Sequence, residues 1–168
     1  MHAALVYYSL EGNTRAAATK LAKRLGADVF EVRTTKAYPR KGLGKFLAGG
    51  RDSLFGKASQ IEPLQMDPSS YELVVLAVPV WAGKAAAPIN SFLAGRSFGQ
   101  ARVALMVASA SGDAESCTQD LADKLGRDRR DLPTLSLKNP GRLPDDQLAS
   151  LVDAFADRLS NGAAGGAF

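Results

Sequence analysis

The chain has 168 residues, 46% of them hydrophobic, which is enough for one domain to bury a core without disulfides or a metal. Its one cysteine, Cys117, cannot form an internal disulfide, and its one histidine, His2, cannot assemble a metal site with that cysteine. The formal charge of +4 is local, because residues 33–57 carry seven basic residues against Asp52, which leaves the rest of the chain at −2.

The first residues predict a cytoplasmic protein. They run directly into a strand-like segment, residues 3–8, without the basic start, long apolar run and cleavage site of a signal peptide. The apolar run at residues 73–81 is half the roughly 18 residues that a membrane-spanning helix needs. We therefore expect no membrane insertion.

Short apolar runs alternate with helical periodicity, which is the pattern of strands and helices packed on a parallel sheet. Three predicted strands, at residues 3–8, 73–78 and 103–108, are apolar on both faces and should lie in the interior of the sheet. Two others, at residues 29–33 and 135–138, alternate apolar with polar residues and read as edge strands.

Helices fill the intervals between these strands. An apolar stripe from Ala18 to Leu25 predicts the first helix, which Gly26 can end. A later helix places Cys117 on its apolar face, with Asp113 as a plausible N-cap, so this thiol is predicted to be a small buried side chain. The last helix has Pro144 in its first turn, ends near Asn161 and Gly162, and faces these residues inward: Leu148, Leu151, Val152, Phe155 and Leu159.

One domain is predicted over residues 1–160, followed by a disordered glycine-rich tail at residues 161–168. Residues 34–63 are long, basic and rich in glycine, and we expect a short helix or two there, covering the sheet. The basic patch is a solvated connection or a docking surface for an acidic partner. Nucleic-acid binding is not expected, because no binding motif or aromatic series accompanies the charge.

The first informative motif lies between the first strand and the first helix, at Ser9, Leu10, Glu11, Gly12, Asn13 and Thr14. Such a loop can aim backbone N–H groups and hydroxyls at one point, with the positive end of a helix behind a phosphate. The alternative is that Asn13 and Thr14 only cap the helix while Gly12 turns the chain. The loop is neither a Walker A sequence nor a G-x-G-x-x-G fingerprint, which argues against nucleotide triphosphate hydrolysis.

Two more loops follow interior strands. Pro79, Val80, Trp81, Ala82 and Gly83 offer an indole platform for a planar ring, unless Trp81 packs on the following helix. Ser109, Ala110, Ser111 and Gly112 form a small polar loop, which could donate backbone hydrogen bonds to such a ring or simply connect strand to helix. Because the carboxyl ends of neighbouring parallel strands line one crevice, the three loops together predict a ligand site.

Over residues 2–160 the chain resembles the flavodoxin family. Residues 9–14 resemble its phosphate loop, S/T-x-T-G-x-T, and residues 79–83 resemble its aromatic flavin loop. The resemblance implies a three-layer, doubly wound α/β fold with a five-stranded parallel sheet in the order 2-1-3-4-5. It also implies flavin mononucleotide (FMN) at the three loops, with its phosphate at the first, its isoalloxazine beside Trp81 and its pyrimidine edge at the third.

Three residues depart from the family pattern. Glu11 replaces a threonine and places a carboxylate beside the phosphate, with only Arg15 nearby in sequence to offset it. Ala82 replaces a glycine that often permits a redox-linked peptide flip. The third loop lacks a tyrosine, so one face of the flavin is expected to be open.

The function implied is electron transfer, as a carrier or as a small NAD(P)H-dependent reductase, with a redox protein or a quinone as partner. The open ring face favours the reductase. Because the chain is net positive, we expect a less negative potential than in strongly acidic flavodoxins. The alternative function is a flavin-free binding module that kept the fold while Glu11 spoiled the phosphate site.

Overall fold

A parallel sheet lies at the centre of the computed structural model, which describes residues 1–36 and 59–164. Within those residues five parallel strands lie in the order β2-β1-β3-β5-β6, and a two-residue strand, β4, pairs antiparallel with the end of β3. The strands are β1 (Ala3–Tyr7), β2 (Asp28–Glu31), β3 (Leu73–Trp81), β4 (Lys84–Ala85), β5 (Arg102–Ser109) and β6 (Thr134–Lys138). With β4 set aside, the predicted order 2-1-3-4-5 is confirmed.

Four helices in the described residues cover both faces of the sheet: α1 (Asn13–Leu25), α2 (Ala87–Leu93), α3 (Glu115–Leu125) and α4 (Asp145–Ala164). Side chains of β1 alternate between the two faces. Ala4 and Val6 pack with residues of α2 and α3, whereas Ala3 and Leu5 pack with residues of α1 and α4. The fold is therefore the predicted three-layer α/β arrangement, and β1, β3 and β5 are buried on both sides because helices cover both sides.

Several element boundaries differ from the predicted ones. β2 begins and ends earlier than residues 29–33, and β3 continues three residues beyond 78. α4 runs to Ala164, past the expected end near Asn161 and Gly162, and Leu151 is 39% exposed rather than inward. The helices predicted within residues 34–63 fall largely on residues 37–58, which are outside the described residues; next to this gap, Thr34 and Ile61 form an antiparallel bridge. Half of the predicted tail, residues 161–164, lies in α4, and the other half, residues 165–168, is also outside the described residues.

The start of α3 shows how its thiol is placed. The N-cap is Ala114 rather than Asp113, although the Asp113 Oδ1 still accepts a hydrogen bond from the Glu115 amide at 2.9 Å. Cys117 is buried, as predicted. Burial raises the pKa of the Cys117 thiol to about 12, and the nearby Asp120 carboxylate adds to the shift, so the thiol stays protonated at neutral pH. No helix in the described part of the chain is both long and apolar enough to cross a membrane.

Candidate functional site

The loop between β1 and α1 forms a concave turn. Gly12 has a left-handed conformation, with φ of 93°, and its amide donates to the Ser9 Oγ at 3.1 Å. The next three amides, of Asn13, Thr14 and Arg15, find no acceptor among residues 1–36 and 59–164, as expected for the first turn of a helix. A β-carbon on Gly12 would meet no atom of the described residues within 4 Å. The positive end of α1 and these amides without acceptors in the described residues make this turn suited to a phosphate group.

The side chains of this turn do not cap the helix. Gly12 is the N-cap residue of α1, and no side-chain hydrogen bond caps that end. Thr14 is almost completely buried, at 2% exposure, whereas Asn13 is exposed and contacts Gly141, where a β-carbon would clash with the Asn13 Oδ1. The alternative in which Asn13 and Thr14 serve only as caps is therefore wrong.

The loop after β5 repeats the geometry of the loop after β1. The Gly112 amide donates to the Ser109 Oγ at 2.9 Å, and Gly112 has φ of 87°. Both turns have the sequence S-x-x-G, at residues 9–12 and 109–112, on either side of β3. The spacing is visible in the sequence, and comparing the two segments would have predicted their shared shape.

Trp81 lies in a strand, not in a loop. Pro79, Val80 and Trp81 extend β3, and Trp81 pairs with Lys84 across a tight turn. The two turn residues, Ala82 and Gly83, both have positive φ, 51° and 77°. Positive φ at both central positions is the mark of a type I′ hairpin turn. The predicted loop at residues 79–83 is therefore a short hairpin, which holds the tryptophan backbone in a hydrogen-bonded ladder.

The indole of Trp81 is partly buried against the core face that carries α2 and α3. Its ring meets Tyr8 edge to face, with ring centroids 5.5 Å apart and an interplanar angle of 87°. Edge-to-face pairing is a favoured arrangement for aromatic rings. Tyr8 precedes the phosphate-type turn, so this contact joins the hairpin to the first loop.

Four segments form a closed series of contacts at the carboxyl edge of the sheet. They are the turn at residues 9–12, the hairpin at residues 79–85, the turn at residues 109–112 with the start of α3, and the segment at residues 139–141. The hairpin contacts α3, where a β-carbon on Gly83 would lie 3.9 Å from Ser116. Asn139, in a left-handed conformation after β6, donates from its amide to Ser109 O at 2.9 Å and from its Nδ2 to Ala110 O at 3.0 Å. The contact of Gly141 with Asn13 closes the series. Sequence analysis missed this fourth segment, although Asn139-Pro140-Gly141 is a strong turn signal.

The charged side chains beside the first loop, Arg15 and Glu31, form an ion pair that the sequence did not predict. Arg15, expected to offset Glu11, instead contacts the Glu31 carboxylate on β2 and donates from its Nε to the Tyr7 hydroxyl at 3.2 Å. Burial alone would raise the pKa of the Glu31 carboxyl, but hydrogen bonds from Arg15 and Arg33 outweigh it and lower that pKa. Glu11 itself is exposed. The positive charge of Arg15 is thus shared with β2.

Comparison with known proteins gives a consistent picture. A family model described as flavodoxin matches residues 2–150. Among solved structures, a flavoprotein from Lactobacillus acidophilus NCFM in complex with FMN is 19% identical, with a TM-score of 0.66 over 83% of this chain and 94% of that one. No curated protein matches the sequence.

Two further solved structures cover nearly the whole chain. A flavodoxin from Streptococcus pneumoniae TIGR4 is 14% identical, with a TM-score of 0.61 over 96% of this chain and 99% of that one. A Fusobacterium nucleatum flavodoxin bound to FMN is 11% identical, with a TM-score of 0.58 over 96% of this chain and 98% of that one. At these identities the likeness establishes the fold.

Proposed function

The chain belongs to the flavodoxin family, and from that premise we propose that it binds FMN at the carboxyl ends of β1, β3 and β5 and transfers electrons through it. The observation that carries this proposal is the turn at Gly12, where three amides at the start of α1 have no acceptor in the described residues. Two structural relatives, from Lactobacillus acidophilus and Fusobacterium nucleatum, were solved with FMN.

Each of the three predicted segments has a part in holding FMN. The amides of Asn13, Thr14 and Arg15, with the Ser9 and Thr14 hydroxyls, would bind the phosphate, because a helix N-terminus and unpaired donors favour an anion. Trp81 would contact the isoalloxazine. The remaining predicted contacts are Leu10, Glu11 and Gly12 near the phosphate, Pro79, Val80, Ala82 and Gly83 beside the ring, and Ser109, Ala110, Ser111 and Gly112 at its polar edge.

FMN supplies the redox chemistry when bound, and the protein supplies binding, orientation and the local field. At the third loop the Gly112 amide bonds to Ser109 Oγ and the Asp113 amide bonds to Ser111 Oγ at 3.1 Å. Both hydroxyls act as acceptors there and keep their protons to donate. These serines can therefore offer hydrogen bonds to a ring edge from a turn that is already shaped.

We favour a small reductase over a pure carrier. Ala110 and Ser111 are exposed and small, so no aromatic side chain of the third loop would cover the ring. An uncovered ring leaves room for a nicotinamide or a quinone to stack. Steady oxidation of NADH or NADPH by the FMN-loaded protein with a quinone acceptor would support the reductase. If the protein retains its flavin but does not oxidise NADH or NADPH, the result would favour an electron carrier that acts with a redox protein.

The lone, buried Cys117 suits the cytoplasm, where thiols stay reduced, and we propose that location. We also propose that the FMN potential is less negative than in strongly acidic flavodoxins, because a net charge of +4 favours the anionic reduced flavin.

The test is titration of the purified protein with FMN, followed by visible absorption and by quenching of Trp81 fluorescence. We expect saturable binding at micromolar concentrations. Thr14→Ala should weaken it about tenfold or more, the usual effect of removing a hydrogen bond to a charged group. Thr19→Ala, which changes an exposed threonine of the same helix, is the matched control and should bind normally.

Failure of this titration would favour the other candidate function, a flavin-free binding module. The observation behind that alternative is Glu11, an exposed carboxylate in the loop that would hold the phosphate. A colourless protein that shows no saturable quenching with added FMN would make it the better account.

A further inference from the structure

The hairpin that carries Trp81 is tied to the helical layer by a chain of polar contacts. Lys84, which pairs with Trp81 across the turn, has its Nζ 3.6 Å from the Asp120 Oδ1 on α3. The other oxygen of Asp120 contacts the Lys124 Nζ, which also donates to the Asn90 Oδ1 on α2 at 2.9 Å. The turn is thereby connected to two helices through four side chains, those of Lys84, Asp120, Lys124 and Asn90.

The two ends of this chain differ in burial. The side chain of Asp120 is 14% exposed and Asn90 is 8% exposed, whereas the side chain of Lys84 is 40% exposed. The Asn90 Nδ2 is buried and has no partner among the described residues, so this amide is oriented by its single bond from Lys124. Asp120 is consequently the largely buried link that holds Lys84, and Lys84 is the exposed end of the chain.

The turn between Trp81 and Lys84 needs such support. Ala82 has a left-handed backbone, which disfavours any residue with a β-carbon. We propose that Asp120 is a positioning residue, an inference that rests on the proposed FMN site. Asp120 holds Lys84, and through Lys84 it keeps the Ala82–Gly83 turn and Trp81 in the arrangement that receives the flavin. Asp120 acts through Lys84 and need not touch the flavin itself.

Two substitutions on the pair test this proposal. We expect Asp120→Asn and Lys84→Met each to raise acrylamide quenching of Trp81 in the flavin-free protein, and each to weaken FMN binding about two- to fivefold, the range of a partly exposed ion pair. The double variant should be no weaker than the weaker single variant, because both remove one interaction. Lys84→Arg, which keeps the cation, should retain wild-type values.

Asp123→Asn is the matched control. Asp123 lies on the same helix, is exposed and accepts a hydrogen bond from Gln119 at 2.8 Å, so its loss should change neither quenching nor FMN binding. Lys84→Met leaves the contact between Lys124 and Asn90 intact, and it keeps the test decisive if Asp120→Asn fails to fold.

The sign of the Asp120→Asn effect separates positioning from simple charge. If Asp120 acted only by its charge, removing it would tighten the binding of an anionic ligand, and that result would overturn the proposal. Additive losses in the double variant would overturn it as well. If the wild-type protein does not bind FMN, the proposed function fails, but the quenching measurements on the flavin-free protein still decide whether Asp120 positions the turn.

Discussion

Among the described residues, Ala82 is the one whose backbone conformation is least suited to its side chain. A left-handed conformation costs a residue with a β-carbon roughly 1–2 kcal/mol, and glycine avoids that cost while losing more entropy on folding. Ala82 is exposed, so a change there removes no packing. We expect Ala82→Gly to raise the free energy of unfolding by about 0.5–1 kcal/mol and the melting temperature by about 1–4 °C.

Thermal unfolding followed by circular dichroism measures this effect. Ala94→Gly is the matched control, because Ala94 is also exposed but has φ of −59°. There glycine brings only its entropic cost, so this variant should melt at a lower temperature than the wild type. Equal effects of the two substitutions would contradict the strain assigned to Ala82.

Glu11 is the residue that we expect to limit the strength of the proposed phosphate site. Its carboxylate is exposed in the loop that precedes α1, and like charges a few ångströms apart repel by about 1 kcal/mol even in water. We therefore expect Glu11→Gln to lower the FMN dissociation constant about three- to tenfold. Fluorescence titration at low and at high salt measures it, and the gain should shrink at high salt.

Glu72→Gln provides the control for this charge change. Glu72 is also exposed, but it precedes β3, at the opposite edge of the sheet, where it bonds to the His2 amide. Its loss should leave FMN affinity unchanged. A gain in affinity from Glu72→Gln equal to that from Glu11→Gln would point to net charge rather than to the phosphate loop.

Sequence alone located the turn at Gly12, between β1 and α1, because its residue types act locally. The same was not true of the residues that complete the series of contacts. The hairpin at Ala82 and Gly83 lacks the Asn-Gly or Asp-Gly signal of a type I′ turn, so it was taken for a loop. The approach of Gly141 to Asn13 joins positions far apart in the chain, and no local pattern reports such a contact.

Among the elements, β2 depends on an ionic cluster. Its last residue, Glu31, accepts from the Arg33 Nε at 3.0 Å and contacts Arg15 of α1. Since the folded-state pKa of Glu31 is lowered from 4.5, its stabilising effect is complete above that pH and is lost as the pH falls through the folded-state value.

This sign predicts how Glu31→Gln behaves with pH. The variant should be less stable than the wild type at pH 7, and the difference in unfolding free energy should shrink as the pH drops below about 4.5. Urea denaturation between pH 3 and 7 measures it. Glu62→Gln, which changes an exposed glutamate on the adjoining segment, should show a small difference at every pH. A constant gap for Glu31→Gln would contradict the assignment.

The interior strands were the elements that sequence predicted best. β1, β3 and β5 are covered by helices on both faces, so each appears in the sequence as a short continuous apolar run, a pattern that the other elements of this chain do not have. Boundaries at the edges were less accurate because β2 is only four residues long and its pattern is half polar. The extension of β3 through Trp81 depends on pairing with β4. Because β4 has only two residues, it is too short to produce a strand pattern in the sequence.

At the scale of the whole molecule, cofactor binding should appear as added stability. A ligand that binds only the folded state stabilises it by about 2.7 kcal/mol at 100 times its dissociation constant. For a chain of this length that corresponds to a rise in melting temperature of roughly 5–11 °C. We expect this rise with FMN, measured by differential scanning calorimetry.

Riboflavin is the control ligand, because it has the same ring without the phosphate. If the turn at Gly12 binds phosphate, riboflavin at the same concentration should raise the melting temperature much less than FMN. Equal shifts would show that the ring alone is recognised, and would remove the role assigned to the amides of Asn13, Thr14 and Arg15.

The twin S-x-x-G turns have one more consequence, which concerns polarity. Their backbones are alike, but the helices that follow them differ in charge. α1 has no acidic residue in its first turn, whereas α3 begins with Glu115, whose amide already donates a hydrogen bond to the Asp113 carboxylate. We therefore expect the anionic end of a bound ligand at the turn before α1 rather than at the turn before α3. An elongated molecule with a single charged end would accordingly bind across these two turns in one direction.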